Sequence, residues 1–255
     1  TGAIAWRPLH REVVASPATP GDPRSSSNWE EASIHVGRYE LYRRRRDQRI
    51  VTAKQTRRER LTEVMQGIQQ RGWCDGTGGN FSMVLQHQPL QLLMAPSGVD
   101  KGQVPADQLI VVDGQGKVLT GKGKASAETA LHLRIVEATQ AGAVLHTHSV
   151  PGTVLSRHYE NTGGIVLEGW EMLKGLVGIN THASSITIPV ISNSQSMDEL
   201  GEAVAPLLET SPCGFLVAGH GLYAWGADLD ASKRHLEILE FLLKVRLTQM
   251  QIGDQ

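Results

Sequence analysis

Residues 143–149 read AVLHTHS, an apolar start followed by two histidines one residue apart. An apolar run this short, closed by Val150, Pro151 and Gly152, reads as a strand buried in a sheet. Side chains alternate faces along a strand, so His146 and His148 point one way and Thr147 the other. Their imidazoles then lie roughly 6.6 Å apart along the strand, near enough to converge on one ion. For an H-x-H pair alone, two solvent-facing strand residues are the competing reading. A third nitrogen is offered by His220 in VAGHGLYAWG (217–226), where an apolar strand breaks between two glycines that permit close backbone approach. Three neutral imidazoles with a fourth position left open are the donor set of a catalytic zinc site. His10, His35, His87, His132, His158, His182 and His235 lack such a context and read as surface or core residues.

Working outward, strands and helices interleave. RRERLTEVMQGIQQRGW (57–73) sets Leu61, Val64, Met65 and Ile68 at spacings of three and four, which predicts a helix ending near Gly72. FSMVL and LQLLMAP predict two strands, and LIVVDGQGKVLTG a hairpin around Asp113 and Gly114. SAETALHLRIVEATQAG predicts a helix capped by Ser126, with Leu131, Ile135 and Ala138 on its inner face. Beyond the histidine strand, ITIPVI reads as a strand and SMDELGEAVAPLLE as a helix with Ser196 and Glu199 spaced as a capping box. CGFLVAGHGLYAWG is a strand pair broken at Gly219–Gly221, and DASKRHLEILEFLLKVRLTQMQ a long terminal helix. With no repeat of 20 to 50 residues, the order points to an α/β sandwich of mixed sheet and flanking helices.

The bounds agree with one compact domain plus an extension. The chain has 255 residues, 40% of them hydrophobic, enough for a sizeable core. Residues 1–58 hold 12 Arg or Lys against 6 Asp or Glu, while 59–255 hold 13 against 20. The leader includes SPATPGDPRSSSN (16–28) and YRRRRDQR (42–49), compositions that do not offset their ordering entropy, so it is expected to be disordered. Arg43–Arg46 reads as a solvated basic run, with a partner-binding patch as the alternative. The near balance of 25 basic and 26 acidic residues predicts no general attraction to nucleic acid or to acidic membranes. No apolar run reaches the roughly 20 residues of a membrane helix. Cys74 and Cys213 form no disulfide framework, so a reducing cytoplasm is expected.

Three turns could hold an anion. DGTGGNFS (75–82) offers backbone N–H groups at Gly78 and Gly79 beside Thr77, Asn80 and Ser82. APSGVDKG (95–102) offers Ser97 and Gly98, and GKASAE (123–128) places Ser126 at a helix N-terminus, where the dipole favours phosphate. Each alone is commonly just a turn; three of them beside an H-x-H pair are a constellation.

TGGNFS, APSG, GKASAETALH, HTHS and AGHGLYAWG, in this order and spacing, resemble the class II aldolase family of zinc enzymes over about residues 59–250. The resemblance implies an α/β fold, a three-layer α/β/α sandwich with a central mixed, mostly antiparallel sheet, usually assembled as a tetramer. It also implies a small phosphorylated sugar-like substrate and one zinc ion per chain on His146, His148 and His220. Within the family, EMLKG (171–175) is similar to the branch that dehydrates methylthioribulose 1-phosphate in methionine salvage. That resemblance implies Glu171 as acid/base, with Gly79, Asn80, Ser97, Gly98 and Ser126 near the substrate phosphate. Lys174, one helical turn after Glu171, could hold its charge or meet the phosphate. Glu128 stands where the aldolases carry their own catalytic glutamate and is the second candidate acid/base; its alternative is a first-turn acid that suits the helix dipole. Glu168 reads as surface. Many relatives have two serines before that glutamate, and here the second is Ala127. Two rivals remain: an aldolase or epimerase acting on a related sugar phosphate, and a non-enzymatic binding module, against which the complete histidine set argues.

Overall fold

The structure, a computed structural model, describes residues 55–211 and 213–253. The leader expected over residues 1–58, with its arginine run, lies outside the described residues except at its last four positions. Helix α1 (Arg57–Gln70) begins two residues before the boundary expected at Glu59. The reason is a reciprocal cap: the Glu59 N–H donates to Thr56 Oγ1 at 3.2 Å, and the Thr56 N–H donates to the Glu59 carboxylate at 2.8 Å. Arg58 also reaches across the fold to donate to the Leu109 carbonyl at 2.7 Å.

The strands are β1 (Asn80–His87), β2 (Leu90–Met94), β3 (Ile110–Asp113), β4 (Val118–Thr120), β5 (Ala143–Thr147), β6 (Gly164–Glu168), β7 (Ser185–Ile191), β8 (Gly214–Val217) and β9 (Gly221–Gly226). They form one nine-stranded sheet in the order β4-β3-β2-β1-β5-β9-β8-β7-β6, antiparallel at every pair except β7 with β8. The expected mixed, mostly antiparallel sheet is therefore present. Strand β5 lies at its centre between β1 and β9.

The remaining helices are α2 (Thr129–Thr139), α3 (Val150–His158), α4 (Met197–Leu208) and α5 (Leu229–Ile252). Two apolar layers flank the sheet. Leu61 and Met65 of α1, Leu155 of α3 and Leu236, Leu239 and Leu243 of α5 pack with Ala143, Leu145, Leu222 and Ala224. Leu131 and Ile135 of α2 and Leu200 and Val204 of α4 pack with Val144, Tyr223 and Trp225 on the other face. The strand alternation of β5 and β9 thus sorts side chains into the two outer layers.

Three local expectations change. Helix α2 starts at Thr129, with Glu128 at the cap position and no side-chain cap bond, so Ser126 lies outside the helix it was expected to cap. Its inner face is Leu131, His132, Ile135 and Val136, and Ala138 is exposed, because Arg134 and Glu137 mark the solvent side. Ser196 does cap α4 by accepting the Glu199 N–H, but the Glu199 carboxylate takes the Ser194 hydroxyl at 2.5 Å instead of closing a box. Helix α3 and strand β6 were not anticipated; Pro151 and Gly152 in the first turn of α3 make it read as loop, yet Pro suits that position and Ser149 caps it.

Candidate metal centre and active site

His146 is the fixed point of the site. On the sheet it has Asn80 of β1 on one side and Tyr223 of β9 on the other. Its ring stacks on Tyr223 with centroids 3.9 Å apart, and Tyr223 stacks on Phe215 at 5.0 Å, so the imidazole has no exposed surface and one orientation. His146 Nδ1 lies 3.0 Å from the Leu222 carbonyl. A carbonyl only accepts, so the proton sits on Nδ1 and the Nε2 lone pair faces the site.

His148 does not sit on the strand. Strand β5 ends at Thr147, and the His148 N–H donates to the Trp73 carbonyl at 2.7 Å. Its ring still reaches the same point, with Nε2 2.9 Å from His146 Nε2. Gly78 leaves room for it: a Cβ there would lie 2.9 Å from His148 Nδ1. His220 enters from the β8–β9 turn, held by its own N–H on the Val217 carbonyl at 3.0 Å, and its Nε2 is 3.3 Å from that of His146. Gly221 has to be glycine, since a Cβ would fall 1.9 Å from the Thr147 carbonyl oxygen. All candidate donor atoms of the cluster lie within 4.8 Å of one another. Burial pushes His146 well below the ordinary histidine range and lowers His148, so both present unprotonated nitrogens. Converging lone pairs of this kind fit a divalent metal with nitrogen ligands.

Glu128 completes the cluster. Its carboxylate lies 3.1 Å from His220 Nε2 and 3.7 Å from His146 Nε2, and it accepts a hydrogen bond from Asn80 Nδ2. Burial alone would raise this carboxyl, but the bond to His220 and the neighbouring histidines outweigh it and hold it at about 2. The reading of Glu128 as a first-turn acid serving only its helix is therefore replaced: the side chain turns from the helix end to the imidazoles. Burial and the Glu128 charge push the Tyr223 phenol well above its ordinary range.

Two of the three expected anion turns border this cluster, and the remaining one is tied to them through backbone. Gly79, at φ +75°, approaches the β5 backbone so closely that a Cβ would lie 2.8 Å from the His146 carbonyl oxygen. The Ser97 N–H donates to the Lys124 carbonyl at 2.8 Å, joining the second turn to the third. Gly98 adopts φ +74° over open space, and the Ser126 hydroxyl accepts the Glu128 N–H at 3.3 Å.

Residues 59–247 match the family model described as Class II Aldolase and Adducin N-terminal domain. The chain belongs to this family. A methylthioribulose-1-phosphate dehydratase of Serratia proteamaculans is 45% identical over 190 residues, 73% of this chain and 92% of the relative. A methylthioribulose-1-phosphate dehydratase of Sorangium cellulosum is 40% identical over 194 residues, 74% and 90% of the two chains. Among solved structures, YgbL from Escherichia coli is 25% identical with a TM-score of 0.66, covering 78% of this chain and 90% of that one. An L-fuculose 1-phosphate aldolase, 23% identical with a TM-score of 0.63 over 77% and 87%, shares the fold.

Against that class II aldolase frame, two expected residues stand apart. Glu171 lies in a 3-10 turn (Glu171–Gly175), 70% exposed, ion-paired with Lys174 and 3.8 Å from His182 Nδ1. The Lys174 hydrogen bond holds its carboxyl below the ordinary range. Among the described residues, no hydrogen bond or ion pair joins Glu171 or Lys174 to the imidazole cluster or the three turns. Glu168 is exposed, as read. The sequence alone gives no sign of one site residue, Tyr223. It is signalled by its place opposite His146 in register, which needs the strand pairing to be known.

Proposed function

We propose that this chain is a zinc-dependent dehydratase that removes water from 5-methylthioribulose 1-phosphate to give the 2,3-diketo-5-methylthiopentyl 1-phosphate. The observation that carries it is the convergence of His146, His148 and His220 in a chain 45% identical to a protein named as that dehydratase. His146, His148 and His220 would hold the metal, one per chain. When bound, such a metal acts as a Lewis acid that lowers the cost of negative charge on the substrate's ketone and neighbouring hydroxyl oxygens.

The protein's own residues do the rest. A proton leaves C3, next to the C2 ketone, hydroxide leaves C4 as water, and the resulting enol becomes the C3 ketone. Lys174 keeps Glu171 ionised, which suits it to take the C3 proton and then return it to the departing hydroxyl group. Glu128, engaged by Asn80 and two imidazoles, is the charged partner that orients the cluster. Gly79, Asn80, Ser97, Gly98 and Ser126 supply short donors for the phosphate. We assign the enzyme to the cytoplasm, in keeping with the two free buried thiols of Cys74 and Cys213, and to a homotetramer. Val150, Met172 and Phe241, exposed apolar side chains lining one groove beside Trp73, support an assembly that covers the Glu171 turn.

One observation favours a second reading: Glu128 touches the imidazoles, as a carboxylate serving an aldolase or epimerase would. Turnover of methylthioribulose 1-phosphate by zinc-replete protein, set against fuculose and ribulose phosphates, separates the two. The dehydratase reading expects turnover of the first alone and about one zinc per chain, with His148→Ala losing both metal and activity. Full activity in metal-free His148→Ala would end the reading.

A further inference from the structure

Lys101 is 1% exposed, one of the largest fully buried side chains among the described residues. Its ammonium donates to the Thr77 carbonyl at 2.9 Å and to the Val99 carbonyl at 3.0 Å. Among the described residues no carboxylate lies within ion-pair distance of it. Asp100 is turned elsewhere, accepting from the Gly102 N–H and the Gln103 amide at 2.8 and 2.9 Å. An ammonium has three N–H donors, so one remains beyond the two carbonyls. A buried charge without a counter-charge costs several kcal/mol, and an apolar side chain of this length would fill the space without that cost. Fold stability alone therefore does not account for a lysine here.

Its two acceptors locate its task. Thr77 opens the turn that carries Gly78, Gly79 and Asn80, and Val99 closes the turn that carries Ser97 and Gly98. Lys101 thus clamps the first turn to the second, and the Ser97 bond to Lys124 ties the second to the third. Burial lowers the amine, while the Cys74 thiol, Glu128 and Asp100 oppose that effect. The positive charge is thus held on the backbone of the first and second turns, and the first turn borders the imidazole cluster at Gly78.

We infer that Lys101 is the positioning residue of an anion cradle: its buried ammonium fixes the spacing of two backbone turns and supplies the charge that favours a phosphorylated substrate over the free sugar. This rests on the phosphorylated-substrate reading above. In low dielectric a fixed cation acts on a nearby dianion without touching it, and each donor of the turns it holds in place makes a hydrogen bond to a charged group worth about 1.5–3 kcal/mol, or roughly 10- to 100-fold in affinity.

The test uses the zinc-loaded full chain and inorganic phosphate as a competitive inhibitor. Lys101→Met keeps the length of the side chain and removes the charge. Its phosphate inhibition constant and its KM should both rise about 10- to 100-fold, with kcat and zinc content near those of the wild type and Tm no lower. Equal phosphate inhibition of the two proteins overturns the inference and leaves the dehydratase reading standing. A wild type that phosphate does not inhibit removes the phosphorylated-substrate reading and this inference together. If Lys101→Met does not fold, the wild type with nitrogen-15 lysine answers instead. The protected Lys101 ammonium resonance should shift on adding phosphate, and an unmoved resonance at saturating phosphate overturns the proposal.

Discussion

The imidazole cluster and the Glu171 turn hold the same kinds of groups, a carboxylate beside histidine, in opposite settings. His146 has no exposed surface and Glu128 17%, whereas Glu171 and His182 are 70% and 64% exposed. In the cluster, burial strips protons from His146 and His148, and β5, β9 and the β8–β9 turn hold the rings before any ligand arrives. On the outer turn, water screens the Lys174–Glu171 pair, and an exposed pair of this kind contributes little to stability. One region is built to bind; the other is free to exchange protons.

The sharpest way to break this contrast is to remove one acid from each side. Glu171→Gln keeps size and hydrogen bonding but loses the proton carrier, so kcat should fall by about 10²-fold or more while zinc content and KM survive. Glu128→Gln should cost less in kcat and more in zinc affinity, because it weakens the charged partner of His220 and His146. Metal content, KM and kcat for both variants side by side decide it. A larger kcat loss at Glu128 with zinc retained would make the buried carboxylate the acid/base and move the site toward aldolase-like chemistry.

Much of the buried region was legible in the sequence and little of the exposed one. The apolar periodicities of α1, β5 and α5 and the glycines around His220 pointed to the sandwich and the imidazole set, since both depend on local pattern. The contact of Glu128 with the cluster was not legible, because it depends on where α2 begins. Ser126 looks like its cap, and starting the helix there would keep Glu128 in the first turn; the actual start at Thr129 frees Glu128 to turn inward. Lys101 was passed over for a related reason: a lysine in a glycine-rich loop reads as exposed, and only the tertiary fold buries it.

A smaller effect sharpens the claim that burial keeps the inner histidines neutral. His132 packs behind the cluster, its Nδ1 2.8 Å from the Ser82 hydroxyl, and burial lowers it to about 4 against the opposing charge of Glu128. A histidine depressed on folding contributes stability that is present above its unfolded value near 6.5 and lost as pH falls toward 4. The native protein should therefore lose about 2 kcal/mol through this group between pH 7 and pH 5. Urea unfolding at the two pH values checks it: His132→Gln should lose that much less than the wild type. Equal losses would mean that His132 is not held neutral.

The smallest expected effect lies on the exposed side and concerns how Glu171 is tuned. Lys174 is the main cause of the lowered Glu171 carboxyl, so Lys174→Met should return it toward its ordinary value. If Glu171 takes the C3 proton, it must be ionised. Activity in the wild type then persists to lower pH than in the variant, and the acid limb of kcat/KM moves to higher pH when Lys174 is lost. The shift is modest because both side chains stand in solvent, where screening weakens their attraction, and kcat at neutral pH should stay close to that of the wild type. Profiles of kcat/KM from pH 4 to 8, at fixed ionic strength and with zinc in excess, measure it. The alternative role for Lys174, a direct hold on the substrate phosphate, gives the opposite pattern: a raised KM and a weaker phosphate inhibition with the acid limb unmoved. That outcome would bring the outer turn into the substrate site and erase the contrast between the two regions.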